Sequence, residues 1–158
     1  MNQLKKWIPC ILSIISLVNY QEVKAQKEAV GQTSETKTVS TGLPFSDAVA
    51  ANGMLYISGQ IGLDPVTDQF PAAGFTAEAD QVMKNLGKVL KDNGLGFSDL
   101  VSVTIYLKSM DNYTPVNKVY RQYFNGVFPA RVCIAVQDLP LHANIEMAAI
   151  ARQKVTLP

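Results

Sequence analysis

The chain has 158 residues, and its 14 Lys and Arg residues nearly balance its 13 Asp and Glu residues, which leaves a formal net charge of +1. That balance argues against a strongly basic nucleic-acid-binding protein. Hydrophobic residues make up 47% and charged residues 17%, a composition that argues against disorder over most of the chain. The length favours one domain. Two cysteines and one histidine are too few for a disulfide scaffold, a cysteine-based zinc site or a histidine-rich metal centre.

The first 25 residues have the pattern of a secretory signal peptide. Lys5 and Lys6 precede a run of 12 uncharged residues, 7–18, and Ala25 lies at the end of a cleavage motif. The run is shorter than the roughly 20 apolar residues of a membrane-spanning helix. We therefore expect cleavage after residue 25 and a mature protein in the periplasm, free of the membrane; an uncleaved membrane anchor is the alternative. After cleavage Cys133 is the sole cysteine, which excludes an intramolecular disulfide.

The next segment, 26–37, is rich in Gln, Glu, Ser, Thr and Lys, which is typical of a flexible spacer. Residues 38–158 then form the predicted domain. It begins with a β-hairpin whose strands, 47–51 and 54–60, flank the Asn52-Gly53 turn signal. An amphipathic helix follows, with Thr76 as its N-cap and Asn93-Gly94 at its end.

The second half of the domain contains one more helix and three more strands. Residues 101–107 alternate between aliphatic and polar side chains, as strands do. A helix is predicted over 113–125, and the last two strands over 131–136 and 144–151, with Leu139-Pro140 between them. The predicted order is β-β-α-β-α-β-β.

Arg131 is the first candidate for a functional residue. It begins a strongly apolar strand, in which alternation places it on one face with Cys133 and places Val132 and Ile134 on the other. A guanidinium group stays charged and offers a planar fork to a carboxylate. Because an unpaired buried charge is costly, Arg131 needs a partner. That partner is either an internal carboxylate, as in a salt bridge, or a ligand.

Glu146 is the second candidate, because it is the one acidic residue in the last predicted strand. Its neighbours Ile145 and Met147 point to the opposite face of that strand. Glu146 is either the salt-bridge partner of Arg131 or a functional acid or base, and the pattern alone leaves both open. His142 follows Leu139-Pro140 in a loop, and we interpret it as a solvated loop histidine.

The segments around these residues closely resemble the signature of the RidA/YjgF family, and the resemblance covers about residues 41–151. The central part is a Pro-Ala-Arg step, a Leu-Pro turn and a final strand of the type Ile-Glu-Met-Ala-Ala-Ile-Ala. The matching segments are Phe128-Pro129-Ala130-Arg131-Val132-Cys133, Leu139-Pro140, Ile145-Glu146-Met147-Ala148, Ser58-Gly59-Gln60-Ile61, Asn93-Gly94 and Val116-Asn117.

The resemblance implies a chorismate-mutase-like α+β fold, in which a mixed sheet carries two helices on one face. It also implies a homotrimer with a cleft between each pair of subunits. The implied activity is the hydrolysis of 2-imino and enamino acids to 2-oxo acids and ammonia, without a cofactor or a metal.

Carried over residue by residue, the resemblance gives catalytic roles to Arg131 and Glu146. Arg131 would bind the substrate carboxylate by a two-pronged contact, and Glu146 would hold or activate the attacking water. Backbone groups around Cys133 and a Ser58-Gly59 turn would contact the imine end. The implied substrate-binding residues are Phe45, Ser58, Gly59, Asn117, Arg131 and Cys133.

The chain departs from the family pattern at two points. Many active members carry Tyr where this chain has Phe45, so a polar contact to the substrate is absent. The signal peptide would also separate the protein from cytosolic sources of imines. Two classes of function therefore stay open. Arg131 and Glu146 favour a deaminase, whereas Phe45 and export favour a non-catalytic, carboxylate-binding or chaperone-like member.

Overall fold

A computed structural model of the protein describes residues 44–154. The predicted signal peptide, 1–25, the predicted spacer, 26–37, and both ends of the predicted domain lie outside these residues. Within the described range, no helix is long and apolar enough to cross a membrane.

Five strands form one mixed sheet in the order β1-β2-β5-β3-β4. Strands β3 and β4 run parallel, and all other neighbours in the sheet are antiparallel. Along the chain the order is β-β-α-β-α-β-β, as predicted. The strands are β1 (Ala48–Ala51), β2 (Met54–Ile61), β3 (Leu100–Leu107), β4 (Ala130–Ala135) and β5 (Ile145–Arg152), and the helices are α1 (Phe75–Asp92) and α2 (Tyr113–Arg121).

The hairpin between β1 and β2 follows directly from two residues. Asn52 and Gly53 have φ angles of 52° and 73°, which is the left-handed region at both central positions of the turn. A two-residue turn of this kind matches the right-handed twist of paired strands, and Asn-Gly adopts it at low cost. Ala51 therefore pairs directly with Met54, as the sequence predicts.

The core lies between the sheet and the two helices. Each long strand directs alternate apolar side chains toward the helices, such as Leu55 and Ile57 of β2 or Ile145 and Met147 of β5. Helix α1 covers them with apolar residues at helical spacing. The helical contribution comprises Ala79, Val82, Met83, Leu86 and Leu90 of α1 with Val116, Val119 and Tyr120 of α2. The prediction of two helices on one face is confirmed.

Helix bounds account for the main differences from the predicted elements. Every strand bound lies within one residue of its prediction. Thr76 is not the N-cap, because α1 begins at Phe75 behind Gly74, and no side chain caps that end. A glycine with φ of 81° turns the chain sharply into the helix, so the helix begins earlier than the hydroxyl signal suggests.

The second helix is shorter than predicted, because it ends at Arg121 rather than near 125. The amides of Tyr123 and Phe124 bond to carbonyls three residues earlier, as in turns. Both rings pack against Phe97, and the Tyr123 hydroxyl donates to Asp80 Oδ1 at 2.6 Å. These tertiary contacts draw the last predicted turn of the helix away from helical geometry.

The opposite face of the sheet is open within one chain. Four large apolar side chains there are 44–54% exposed: Val49, Tyr56, Val132 and Ile134. The alternation predicted for β4 is thus confirmed, since Val132 and Ile134 lie opposite Arg131. Large apolar side chains exposed on both edges of one sheet face are typical of a protein–protein interface.

Candidate active site

Arg131 is held between the edge of the sheet and helix α2. It is the second residue of β4 and pairs with Val103 of β3, whose side chain is fully buried on the helix face. The Arg131 side chain therefore extends toward α2, where its Nη2 donates to Asn117 Oδ1 at 2.7 Å. This bond fixes the direction in which the guanidinium group points.

Two aromatic rings complete the support of the guanidinium group. Its central carbon lies 4.9 Å from the ring centroid of Tyr120 and 6.0 Å from that of Tyr113, which is cation–π geometry. Tyr113, Asn117 and Tyr120 are spaced i, i+4 and i+7, so one face of α2 presents all three. Tyr113 and Tyr120 are therefore site residues beyond those predicted, although their helical spacing from Asn117 is visible in the sequence.

The guanidinium group opens into a cavity of about 320 Å³. A guanidinium has five N–H donors, and Asn117 takes one of them. Among residues 44–154, no carboxylate lies within ion-pair distance of Arg131. The cavity can therefore hold an anionic ligand with a planar, two-oxygen group. Its lining comprises Tyr113, Asn117, Tyr120, Arg121, Phe128, Pro129 and Arg131.

Two weakly acidic groups near Arg131 stay protonated at neutral pH. The Tyr120 hydroxyl is buried without a hydrogen-bond partner among the described residues, and burial raises its pKa to about 12 against the opposing charge of Arg131. Burial also raises the pKa of the Cys133 thiol, again opposed by Arg131. A neutral thiol is a poor nucleophile. Cys133 packs against the core and therefore fits a packing role on this face of β4 better than covalent chemistry.

Glu146 lies on the other face of the sheet. It is the second residue of β5, between Ile61 of β2 and Tyr106 of β3, while its neighbour Met147 is buried under the helices. The Glu146 side chain crosses Gly59 so closely that a Cβ at that position would overlap Oε1. Any residue larger than glycine would displace the carboxyl group.

The strand β2 is irregular where it meets Glu146. Its register shifts between Ile57 and Gln60, so Ser58-Gly59 forms a bulge within a strand and not the turn that we expected. Ser58 Oγ donates to the Ser46 carbonyl oxygen at 2.6 Å. This bond holds the segment that carries Phe45, whose ring is 53% exposed, next to the bulge.

The carboxyl group of Glu146 has no hydrogen-bond or ion-pair partner within residues 44–154. Burial raises its pKa above the ordinary value for glutamate. A partly buried carboxylate with a raised pKa accepts a proton more readily near neutral pH than an ordinary one does. Its chemistry is therefore that of a candidate general base.

The predicted site residues form two groups in one chain. Arg131, Asn117 and Cys133 meet beside α2, whereas Gly59 and Glu146 meet at the β2 bulge. An internal Arg131–Glu146 salt bridge, one of the alternatives that the sequence left open, is wrong, because the two side chains leave the sheet on opposite faces.

Other candidate groups contribute little to this site. The side chain of His142 is 83% exposed and bonds to Asp138, which confirms a solvated loop histidine. Within the part of the chain that the structure describes, no cluster of three or more His, Cys, Asp or Glu residues has the arrangement of a metal site.

Comparison with known proteins shows the family. The family model described as endoribonuclease L-PSP matches residues 35–153. A mouse protein named 2-iminobutanoate/2-iminopropanoate deaminase is 42% identical over 120 residues, which is 76% of this chain and 89% of the mouse protein. RidA from an Antarctic Psychrobacter has a TM-score of 0.68 at 30% identity, covering 77% of this chain and 98% of that one.

Escherichia coli TdcF, solved with bound serine, has a TM-score of 0.69 at 26% identity, and the match covers 75% of this chain and all of TdcF (100%). These proteins agree with the chain in matched length and in fold, a mixed sheet with two helices. The family also agrees with the motifs around Arg131 and Glu146. The chain belongs to the endoribonuclease L-PSP family, which is the RidA/YjgF family that its motifs resemble.

Proposed function

We propose that the protein hydrolyses reactive 2-imino and enamino acids to 2-oxo acids and ammonia. The observation that carries the proposal is the guanidinium of Arg131, which is braced by Asn117, has no ion-pair partner among residues 44–154 and faces a cavity suited to a small carboxylate. The similarity to the mouse 2-iminobutanoate/2-iminopropanoate deaminase supports the same chemistry. The near-neutral charge of the chain does not favour RNA, the substrate that the family description suggests.

Arg131 would bind the substrate carboxylate through two parallel N–H donors. Such bidentate, charge-assisted bonds are shorter and stronger than neutral hydrogen bonds, and they fix the plane of the ligand. Asn117 holds one edge of the guanidinium group, so the fork is oriented before the substrate arrives. The reacting carbon next to the carboxylate would then occupy a defined place.

Glu146 would activate the water that attacks this carbon. A protonated imine is already electrophilic, so a positioned water and a base suffice. Water adds to the C=N carbon while Glu146 takes one of its protons, which gives a carbinolamine. Return of that proton to the amino nitrogen lets ammonia leave with its bonding pair. The hydroxyl of the carbinolamine gives its proton to Glu146 as the C=O bond of the 2-oxo acid forms, and ammonia then carries that proton away as ammonium.

A substrate can reach Arg131 and Glu146 together if the two residues come from different subunits. In one chain they lie on opposite faces of the sheet, and the open face carries exposed apolar side chains. We therefore propose a homotrimer in which each cleft combines Arg131 of one subunit with Glu146 of another. Light scattering at micromolar concentration measures this directly, and a monomer would contradict it.

The test of the proposed function is ammonia release from freshly generated 2-iminopropanoate, with and without purified residues 26–158. We expect the protein to accelerate release, and Arg131→Ala to abolish the acceleration. Arg152→Ala is the matched control, because Arg152 is an exposed arginine at the end of β5. Ammonia release at the same rate with and without the protein would reject the proposal.

The alternative function is binding of a carboxylate ligand without catalysis. Phe45 favours it, because its ring is half-exposed beside the β2 bulge and lacks the hydroxyl of many active relatives. This alternative predicts that 2-oxobutanoate binds at Arg131 while ammonia release stays unchanged. Titration calorimetry alongside the ammonia assay separates the two functions.

We also propose that the protein is exported and cleaved between Ala25 and Gln26. The basic start and apolar run of the N-terminal segment support this. N-terminal sequencing of the natural product tests it, and a mature N-terminus at Met1 in the cytoplasm would reject it.

A further inference from the structure

A buried acidic side chain on α1 belongs to neither group of site residues. Glu78 lies in the first turn of the helix and is 4% exposed, and it is the one charged residue buried within residues 44–154. A buried carboxyl group needs hydrogen-bond partners, since an unsatisfied one is strongly destabilising. No sequence motif marks Glu78, and an acidic residue in the first turn of a helix is common enough to pass unnoticed.

Both partners of Glu78 come from a single residue at the start of β5. The backbone N and the side-chain Nδ2 of Asn144 donate to Oε1 and Oε2, each at 2.7 Å. Asn144 immediately precedes β5, two residues before Glu146. Its carbonyl oxygen accepts from the Lys108 amide at 3.0 Å. Glu78 therefore fixes the end of β5 from which Glu146 projects.

Glu78 also packs against the end of β2. A Cβ on Gly62 would lie 2.5 Å from Glu78 Cγ and 2.6 Å from the Glu78 carbonyl oxygen, so the helix and this segment are in close contact. Gly62 follows β2 directly and lies three residues beyond Gly59, over which the Glu146 side chain crosses. One side chain thus contacts the residue that follows β2 and the residue that precedes β5, the strand that carries Glu146.

A second residue of α1 anchors β2 but not β5. Asn85 lies two turns along the helix from Glu78, and its Nδ2 donates to the carbonyl oxygens of Ile61 and Leu63 at 2.8 Å each. With β2 held by Asn85, the distinct contribution of Glu78 is the placement of β5 relative to β2.

We infer that Glu78 is a positioning residue for Glu146. Its two bonds to Asn144 set where β5 begins against β2, and so set how the Glu146 carboxyl group lies over Gly59. Glu78 itself touches no substrate, because it lies under the helix face and Glu146 projects from the other. The inference rests on the proposed function, in which Glu146 activates water.

The first test compares two substitutions of Glu78. Glu78→Ala removes both bonds to Asn144, and a shift of about 1 Å at a reacting group can lower a rate about a hundredfold. We expect kcat for ammonia release to fall roughly tenfold to a hundredfold. The Kd of 2-oxobutanoate should stay within about threefold, because Arg131 is untouched.

Glu78→Gln should restore most of the turnover. In this variant the side-chain oxygen of Gln accepts from the backbone N–H of Asn144. If the side-chain amide of Asn144 rotates by 180°, the side-chain NH2 of Gln donates to Asn144 Oδ1. Both hydrogen bonds are then kept without a charge. Asp92→Asn is the control for loss of a carboxylate from α1, because Asp92 forms an exposed pair with Lys88. A Glu78→Gln enzyme as slow as Glu78→Ala would overturn a role in placement.

The second test is a double-mutant cycle with Glu146→Gln. If Glu78 acts through Glu146, the double variant Glu78→Ala/Glu146→Gln has the same kcat as Glu146→Gln alone. A kcat that falls by the product of the two single effects would overturn the inference. Glu146→Gln turning over like the wild type would instead reject the role of Glu146 in the proposed function.

Asn144→Ala covers the case in which Glu78→Ala loses the fold or the assembly. It keeps the backbone N–H bond to Glu78 and removes the side-chain bond. The expected drop in kcat is smaller, about threefold to tenfold, and must vanish in the Glu146→Gln background. An unchanged kcat for folded Asn144→Ala, or an additive effect, would overturn the inference.

Discussion

Arg131 and Glu146 project from opposite faces of one sheet, and the chain holds them in opposite ways. Arg131 is braced by a hydrogen bond from its guanidinium to Asn117 and by the ring of Tyr120 beneath it. Glu146 has no polar partner within the described residues, and burial raises its pKa. Arg131, the group suited to binding, is thus oriented by residues of its own chain. Glu146, the group suited to proton transfer, receives no hydrogen bond from residues 44–154.

This difference explains why the two residues do not pair. A carboxylate beside a guanidinium has a lowered pKa and is a weak base, and the guanidinium loses the donors that a ligand needs. Separation on two faces keeps both groups available. A substrate that carries its own carboxylate would then neutralise Arg131, while Glu146 keeps its affinity for a proton.

The comparison predicts the largest effect for the loss of Arg131. Two charge-assisted hydrogen bonds contribute about 1.5–3 kcal/mol each, so Arg131→Ala should lower kcat/KM by up to about ten-thousandfold. Arg131→Lys should recover little, because one ammonium cannot reproduce a planar fork. Steady-state kinetics with an imino acid substrate measures both. The fold and assembly should survive, since Arg131 forms no ion pair with another residue in the described range 44–154.

Circular dichroism and light scattering are the controls for Arg131→Ala. Unfolding or dissociation of this variant would assign Arg131 a structural role. Arg131 would then stabilise the fold or the assembly, and it would no longer differ from Glu146 as the group that is oriented to bind a ligand.

Loss of the Glu146 charge should act on rate and spare binding. Glu146→Gln keeps the shape over Gly59 and removes the base. We expect kcat to fall by about a hundredfold to a thousandfold, within the usual range for general acid–base help. The Kd of 2-oxobutanoate should change less than threefold or so. Parallel loss of analogue binding would show instead that Glu146 supports the ligand site itself.

The raised pKa of Glu146 predicts the shape of the pH profile. As a base, Glu146 must be ionised, so kcat/KM should fall as pH decreases through its raised pKa, at a pH above the ordinary value of 4.5. The acidic limb should disappear from the residual activity of Glu146→Gln. A limb at or below the ordinary pKa would show that the carboxyl group is not desolvated in the assembled site.

The raised pKa of Glu146 also affects folding stability. A salt-bridged acid, whose pKa is lowered, stabilises the fold as pH rises, whereas Glu146 destabilises it. A raised folded-state pKa means that the folded protein binds the proton more tightly than the unfolded chain. Stability therefore falls as pH rises from the ordinary value toward the raised one. We expect Glu146→Gln to have a higher Tm than the wild type near pH 7 and about the same Tm near pH 4. Equal Tm values at both pH values would contradict this.

Most of the fold was predictable from local signals. Asn52-Gly53 fixed the hairpin because both residues tolerate a positive φ, and strict alternation fixed the strand faces around Val132 and Ile145. The end of α2 was not predictable in this way. Tyr123 continues the apolar stripe of the helix in the sequence. In the structure its ring packs on Phe97, a residue 26 positions earlier in the chain, and this contact removes Tyr123 from the helix.

The site was predictable in its members but not in its arrangement. Arg131 and Glu146 are conspicuous because each is the one charged residue in its predicted apolar strand, 131–136 or 144–151. Their placement on opposite faces depends on the register of three strands, which no single segment specifies. Glu78 was missed for a related reason, since its burial follows from the approach of α1 to Gly62 and Asn144.

The smallest predicted effect concerns the ring beneath Arg131. The Tyr120 hydroxyl is buried without a hydrogen-bond partner among residues 44–154, which costs about 1–3 kcal/mol. Tyr120→Phe removes the hydroxyl and keeps the ring under the guanidinium group. We expect the free energy of unfolding in urea to rise by about 1 kcal/mol, with kcat/KM within about twofold of the wild type.

Tyr123→Phe is the matched control, because the Tyr123 hydroxyl donates to Asp80 Oδ1 at 2.6 Å. Removing a satisfied hydroxyl should lower the free energy of unfolding by about 1 kcal/mol. The two substitutions delete the same atom from neighbouring tyrosines and should therefore shift stability in opposite directions. If Tyr120→Phe also lowers the free energy of unfolding, another subunit supplies the Tyr120 hydroxyl with a hydrogen-bond partner in the assembled protein. The surroundings of Arg131 would then come from two subunits and not from one chain.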